Sequence, residues 1–231
     1  MARGIFITGT DTGVGKTLVS SAIIRLLLKQ NQAVFAAKPL ATGSEKQPDG
    51  TLRHGDVAQM AEALGGKPVW VGFESPHPAA PSVAARWEGK KLDLMQMAKN
   101  LKFAIPAGHF AVVEGAGGLL CPAGPGISIA DLAEELGFPV LLVAKNCLGV
   151  LNHTLLALEV ARGRGLEVLG IILNQLTAPG DRVEAENAAE LARLAQVPIL
   201  LEVPFGDLYG ISLEKSQLSN ILLTETDRFM G

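Results

Sequence analysis

Apolar residues along this chain fall into two rhythms, short unbroken runs and longer stretches with a helical period. The run Gly4-Ile5-Phe6-Ile7 predicts a strand, and residues 18–24 continue as a helix to about Lys29. Residues 33–37 form a second apolar run and end at Lys38-Pro39. Residues 40–55 are polar and punctuated by glycine, which predicts a loop of about 15 residues without structure of its own, a length usually reserved for function. A helical stretch follows over 57–64, then a Pro- and Gly-rich segment over 65–80. A helix opened by Pro81 reaches Trp87, and an amphipathic helix covers 92–105. Both are expected to pack and wall the site, with Trp70 and Trp87 partly buried. Residues 110–113 are again strand-like, and three helix-to-strand units close the pattern: 129–136 to 139–143, 150–161 to 168–174, and 184–195 to 198–204.

Continuous apolar strands separated by helices predict a mostly parallel sheet covered on both faces, an α/β fold. No linker-like break interrupts the alternation, so residues 1–231 read as a single domain. Composition acts mainly by exclusion. Of 231 residues, 48% are hydrophobic and 19% charged, enough for a large core and incompatible with disorder. The net charge of −3, with no basic block, gives no nucleic-acid footprint. Cys121 and Cys147 form neither a metal spacing nor a disulfide framework, and are expected to be structural. Free thiols and the lack of a signal peptide point to the cytoplasm, and no apolar run approaches the length that spans a membrane.

The strongest chemical signal lies between the first strand and helix, in Gly9-Thr10-Asp11-Thr12-Gly13-Val14-Gly15-Lys16-Thr17. Strand, glycine-rich turn and Gly-Lys-Thr at a helix start are the context of a phosphate loop. Glycines let backbone N–H groups converge on phosphate oxygens, and the helix N-terminus adds partial positive charge. Lys16 is placed for the β- and γ-phosphates of ATP, and the Thr17 hydroxyl for Mg²⁺. The usual glycine five residues before Gly15 is replaced by Thr10, with Gly9 one place too early. That irregularity argues for a subfamily of the phosphate-loop NTPase fold.

Two further strand ends carry charge. Lys38 sits where open parallel sheets place their ligands. The stretch Val113-Glu114-Gly115-Ala116-Gly117-Gly118 ends a strand in a carboxylate followed by glycines, as expected for an acid beside Mg²⁺ and a close approach of substrate to backbone. Asp56 opens the 57–64 helix and could cap it or ligate metal; local pattern alone favours the cap. His54 reads as a hydrogen-bonding loop residue.

With these motifs placed, the chain resembles the dethiobiotin synthetase family over nearly its whole length. The resemblance rests on Gly9 to Thr12 with Val14-Gly15-Lys16-Thr17, on Lys38-Pro39 with Thr42-Gly43-Ser44-Glu45-Lys46, and on Leu52-Arg53 with Asp56. It continues through Val113 to Gly118 and Leu148-Gly149 with Asn152-His153. It implies that 7,8-diaminononanoate takes up CO₂ on one amine, that ATP phosphorylates the carbamate, and that the second amine closes a cyclic urea. It also implies Thr17, Asp56 and Glu114 around Mg²⁺, with Thr12, Lys38 and Thr42 facing the diamine or its carbamate. The loop residues Gly13 to Thr17 and the stretch Gly115, Ala116 and Gly117 would hold nucleotide, with Asn174, Gln175, Pro204, Phe205 and Gly206 around adenine. Leu148, Gly149 and Asn152 would bind the substrate carboxylate across a twofold axis, in a homodimer that shares its active sites. Gly13 stands where several relatives carry an acid, and Thr42 where a serine is common.

Two alternatives share parts of this pattern. A dimer-switch ATPase of the partitioning type usually carries a second lysine early in the loop, where Thr10 and Asp11 stand here. It also often has a basic or amphipathic tail, whereas residues 213–229 show no basic face. An amide-forming synthetase acting on a corrinoid normally carries a glutaminase domain, for which this chain has no room.

Overall fold

The computed structural model describes residues 3–178, 182–206, 217–218 and 221–222. In chain order, β1 (Arg3–Gly9) feeds α1 (Lys16–Lys29), and β2 (Val34–Ala37) leads into β3 (Leu40–Thr42), β4 (Glu45–Lys46), β5 (Leu52–Arg53) and α2 (Gly55–Ala63). Then come β6 (Phe73–Ser75), α3 (Pro81–Trp87), α4 (Leu94–Ala104) and the long β7 (Phe110–Gly118). Short strands β8 (Pro122–Gly124) and β9 (Ile127–Ser128) precede α5 (Ile129–Leu136). The alternation closes with β10 (Val140–Lys145), α6 (Val150–Gly163), β11 (Val168–Asn174), α7 (Arg182–Leu194) and β12 (Ile199–Val203).

Six strands form one sheet in the order β12-β11-β10-β1-β7-β2, and every neighbouring pair is parallel. The alternation of side chains across this sheet builds two layers. Ile5 and Ile7 of β1 pack with Ile23, Ile24 and Leu27 of α1 on one face, while Phe6 packs with Ile129, Leu132 and Leu136 of α5 on the other. Full burial of one such side chain contributes about 1.5–3 kcal/mol. Strand order and register then fix the chemistry. β7 lies between β1 and β2, with Ile7 opposite Glu114 and Ala37 opposite Val113. The residues that continue each strand, Lys38 after Ala37 and Glu114 after Val113, therefore meet on the α1 face.

The structure corrects three expectations. Residues 40–55 are not a bare loop: β3 pairs in parallel with β6, and β4 with β5 form a small antiparallel hairpin. Trp87 is 60% exposed, because the short α3 turns it outward; Trp70 is half-buried as expected. Asp56 does not cap α2. The cap is His54, whose Nδ1 accepts the Asp56 backbone N–H, leaving the Asp56 carboxylate in the first turn, aimed elsewhere. The reading of residues 213–229 falls mostly outside the described residues; at the four that are described, Leu218 and Leu222 are buried in the α1 layer.

Candidate active site

The C-terminal ends of β1, β2 and β7 open onto a cavity of about 770 Å³. Its walls bring together Thr12, Gly13, Gly15, Lys16 and Thr17 from the first loop, Lys38 and Thr42, Asp56, and Glu114, Ala116 and Gly117. The stretch from Pro78 to Pro81 supplies an apolar wall on the far side. The structure thus brings these sequence-predicted residues to one cavity.

The loop geometry explains the glycines that matter. Gly13 and Gly15 hold φ values of 73° and 90°, which side-chain-bearing residues rarely adopt. At Gly15 an added Cβ would also lie 2.0 Å from Asn174 Nδ2, so space forbids it as well. At Gly13 an added Cβ would meet nothing within 4 Å. Space would therefore admit an acid at that position, and what disfavours a side chain there is the left-handed backbone alone.

Charge is divided unequally between the two lysines. Lys16 Nζ donates to the Asp11 carbonyl oxygen at 2.8 Å and pairs with no carboxylate among the described residues. Burial, then the nearby Lys38 ammonium, pulls its pKa below the ordinary lysine value. Lys38, 4% exposed, donates to Glu114 Oε1 at 2.5 Å, to Asp56 Oδ2 at 2.8 Å and to the Gly115 carbonyl at 3.4 Å. Burial works against its charge, but Glu114 and Asp56 outweigh that cost and raise its pKa. Burial likewise pushes the Asp56 carboxyl up, yet the Lys38 ammonium, helped by the Thr17 hydroxyl, leaves it below the ordinary aspartate value. The fully buried Glu114 also accepts from Thr17 Oγ1 at 2.9 Å and from Ser20 Oγ at 2.7 Å.

Two residues of this network escaped the sequence reading in part. Ser20 lies in an apolar helix stripe, and its only signal was position, one turn after Lys16. His54 was expected to make loop hydrogen bonds. It does more, tying two site residues together: Nδ1 accepts from the Asp56 N–H at 3.1 Å, and Nε2 lies 3.0 Å from the Thr42 carbonyl oxygen. The first contact leaves Nδ1 unprotonated, so the proton sits on Nε2 and donates to Thr42.

The donor set fits a hard divalent cation held jointly with phosphates. Thr17, Asp56 and Glu114 offer only oxygen, the ligand preference of Mg²⁺. Among the described residues no cluster of three or more His, Cys, Asp or Glu could hold a metal unaided. Mg²⁺ needs no such cage, since it keeps waters and is bound through one or two carboxylates and substrate phosphates. A nucleotide also fits. Asn174 is buried, donates from Nδ2 to the Val14 carbonyl at 3.1 Å, and leaves its Oδ1 without a hydrogen-bond partner among the described atoms.

The remaining predicted residues lie outside the lining of this cavity. The Gln175 amide is committed: it accepts from Asn146 Nδ2 and donates to Glu184 Oε2 and the Thr177 carbonyl. Pro204, Phe205 and Gly206 follow β12 and are exposed. Leu148, Gly149 and Asn152 stand exposed at the start of α6, with Gly149 at φ 93° and no side chain capping the helix. Beside them lies a second cavity of about 390 Å³, between Thr10, Asp11 and Thr12 of the loop and His153, Leu156 and Val160 of α6. Cys121 touches both cavities; burial raises its thiol pKa, which makes it a poor nucleophile. Cys121 and Cys147 are both free. Among the described residues no helix is long and apolar enough to cross a membrane.

Similarity to known proteins agrees with this geometry. A family described as an AAA domain matches residues 3–209. The ATP-dependent dethiobiotin synthetase BioD of Anaeromyxobacter dehalogenans (strain 2CP-C) is 40% identical over 208 residues, covering 88% of this chain and 90% of that protein. The protein of the same name from Bacillus subtilis subsp. natto is 35% identical over 214 residues, covering 87% of each. Among solved structures, a ParA family ATPase from Chlorobium tepidum TLS aligns with a TM-score of 0.54 over 98% of this chain and 97% of that one. At 18% identity it shares the fold alone. Sequence similarity over 87–88% of the chain thus runs to the synthetases, and the chain belongs to the ATP-dependent dethiobiotin synthetase family.

Proposed function

We propose that this chain, working as one catalytic domain, carries out the ATP- and Mg²⁺-dependent carboxylation and ring closure of 7,8-diaminononanoate. The products are dethiobiotin, ADP and phosphate, a step of biotin biosynthesis. The observation that carries the reading is the division of labour between two lysines on one cavity: Lys16 without a carboxylate partner among the described residues, Lys38 held between two.

One substrate amine attacks CO₂ and loses a proton, giving a carbamate. A carbamate oxygen then attacks the γ-phosphorus of ATP, and ADP leaves. Finally the second amine attacks the carbonyl carbon of the mixed anhydride, and phosphate departs as the cyclic urea closes. The carbamate, the γ-phosphate and the mixed anhydride are all anionic, so catalysis is mainly positioning and charge stabilisation. Lys16 serves the transferring phosphoryl group. Lys38, with Thr12 and Thr42, serves the carbamate, exchanging its carboxylate partners for the new anion. Thr17, Asp56 and Glu114 would hold Mg²⁺, which neutralises phosphate charge when bound. The unpartnered Asn174 Oδ1 suits the exocyclic amine of adenine, with residues Pro204 to Gly206 framing the base; Gln175 holds the end of β11.

The active site is further proposed to be shared by two copies of the chain. Exposed Leu120 and Leu156 line the second cavity, Leu148 is exposed just before α6, and the open start of α6 offers N–H groups to a carboxylate. The substrate carries its carboxylate at the end of an apolar chain, remote from the amines. Mass analysis of the product from the diamine, ¹³C-bicarbonate and ATP tests the reaction. One retained ¹³C in a cyclic urea, with one ADP per product, is expected. ATP turnover that ignores the diamine would contradict it.

A further inference from the structure

The two oxygens of the Glu114 carboxylate are served unequally. Oε1 receives the Thr17 hydroxyl at 2.9 Å and the Lys38 ammonium at 2.5 Å. Oε2 receives Ser20 Oγ at 2.7 Å. Ser20 is as fully buried as Glu114 and stands on α1 one turn past Lys16. Its hydroxyl has one proton and two acceptors within reach, Glu114 Oε2 and the Lys16 carbonyl oxygen at 3.0 Å. The carboxylate oxygen is closer and charged, and hydrogen bonds to ionised acceptors are the shorter and stronger kind. The proton therefore points at Glu114.

Both donors on Oε1 are groups that the proposed reaction uses elsewhere, Thr17 at the metal and Lys38 at the carbamate. When they turn, Ser20 is the side-chain donor left on the carboxylate. The last torsion of a glutamate side chain is broad and two-fold, so covalent geometry alone does not fix the carboxylate plane. We propose that Ser20 is a positioning residue: its hydroxyl pins Glu114 Oε2 and thereby aims Oε1 at the divalent cation shared with Thr17 and Asp56. This rests on the reading of Glu114 as a metal-side carboxylate. Outer hydrogen-bond partners of metal ligands are typically worth about 10–100-fold in metal affinity or activity.

The next residue supplies a control. Ser21 is equally buried on the same helix, and its hydroxyl has no partner among the described atoms. The test is binding of Mn²⁺, a paramagnetic stand-in for Mg²⁺, to protein saturated with a non-hydrolysable ATP analogue, read from the spectrum of the free ion. Ser20→Ala is expected to weaken Mn²⁺ about tenfold or more while the affinity for the analogue in the absence of metal is unchanged. Ser20→Thr, which keeps the hydroxyl, restores Mn²⁺ binding, and Ser21→Ala leaves it at the wild-type level. Wild-type Mn²⁺ affinity in Ser20→Ala, with only the melting temperature lowered, overturns the proposal. Glu114→Gln separates the two ways of failing. If it weakens Mn²⁺ and Ser20→Ala does not, Ser20 alone loses its role. If Glu114→Gln also binds Mn²⁺ like wild type, the metal reading of Glu114 falls and takes the proposal with it. Should Ser20→Ala not fold, Ser20→Cys, a weaker donor, gives the same decision.

Discussion

At the crevice above β1, β7 and β2, Lys38 is 4% exposed and touches two carboxylates of its own chain; at the start of α6, Leu148 is 84% exposed and Asn152 lies open to solvent. In the first region Lys38, Asp56 and Glu114 are paired within the chain, and their partners come from α1, β7, the residue after β2 and the first turn of α2. In the second, Gly149 opens a 14-residue helix with no side chain over its N-terminus. A cluster satisfied from within is preorganised, ready to act on phosphate and carbamate without rearranging its scaffold. An outward-facing helix start becomes useful only when something is brought to it. On the proposed reading, a substrate held by the second copy of the chain does so.

Substitutions in the two regions should therefore fail in different ways. The largest loss belongs to Lys16→Ala, which removes a charge-assisted contact to the transferring phosphoryl group. The cost is about 3 kcal/mol or more of transition-state stabilisation, over about a hundredfold in kcat/KM, checked by steady-state kinetics. Lys38→Gln should suppress product formation while nucleotide binding, measured by calorimetry, stays close to wild type. Comparable losses of both would move Lys38 to the nucleotide and blur the division between the lysines. Asp56→Asn should raise the Mg²⁺ concentration for half-maximal rate by about tenfold or more.

The same variant has a second signature, in stability. The folded pKa of Asp56 is lowered, so the unfolded chain binds more protons there and stability rises with pH across the gap between the two values. Its contribution is complete above the ordinary aspartate value and is lost as pH falls through the lowered one. Asp56→Asn should remove that part of the acid limb in denaturant titrations, whereas Asn152→Trp should leave the limb intact. Asn152→Trp should instead raise KM for the diamine. A helix start holding a carboxylate contributes up to about 2 kcal/mol, or up to about thirtyfold. A diamine whose carboxylate is masked as an ester should be insensitive to this change. Equal sensitivity would remove the carboxylate from α6.

How much of this was legible in the sequence depended on whether a pattern was local. Strand, glycine turn and helix from Gly4 to Lys29 needed no other part of the chain, and Lys16 and Thr17 followed from it. Lys38 and Glu114 were visible as strand ends, but their contact was not, because it spans 76 residues and depends on β7 entering between β1 and β2. The hairpin in residues 40–55 pairs Glu45-Lys46 with Leu52-Arg53, strands too short and too polar to show alternation. Asp56 read as a cap because the pattern of capping side chains favours aspartate; His54 took the position with a ring nitrogen. The commitment of the Gln175 amide to Asn146 and Glu184 belongs to tertiary packing and has no sequence signature.

Subunit mixing tests the proposed separation of a self-contained reacting half from a borrowed carboxylate half most directly. Lys38→Gln disables the first and Asn152→Trp the second, and each parent is combined after proven exchange, with a masked-ester control for Asn152→Trp. In a mixed dimer both lesions fall in one site and the other site is intact. Random mixing makes half of the dimers mixed, so activity toward the free acid should return to roughly a quarter of the wild-type site count above the residual activity of the parents. No recovery in fully exchanged dimers would mean that each site is built within one chain.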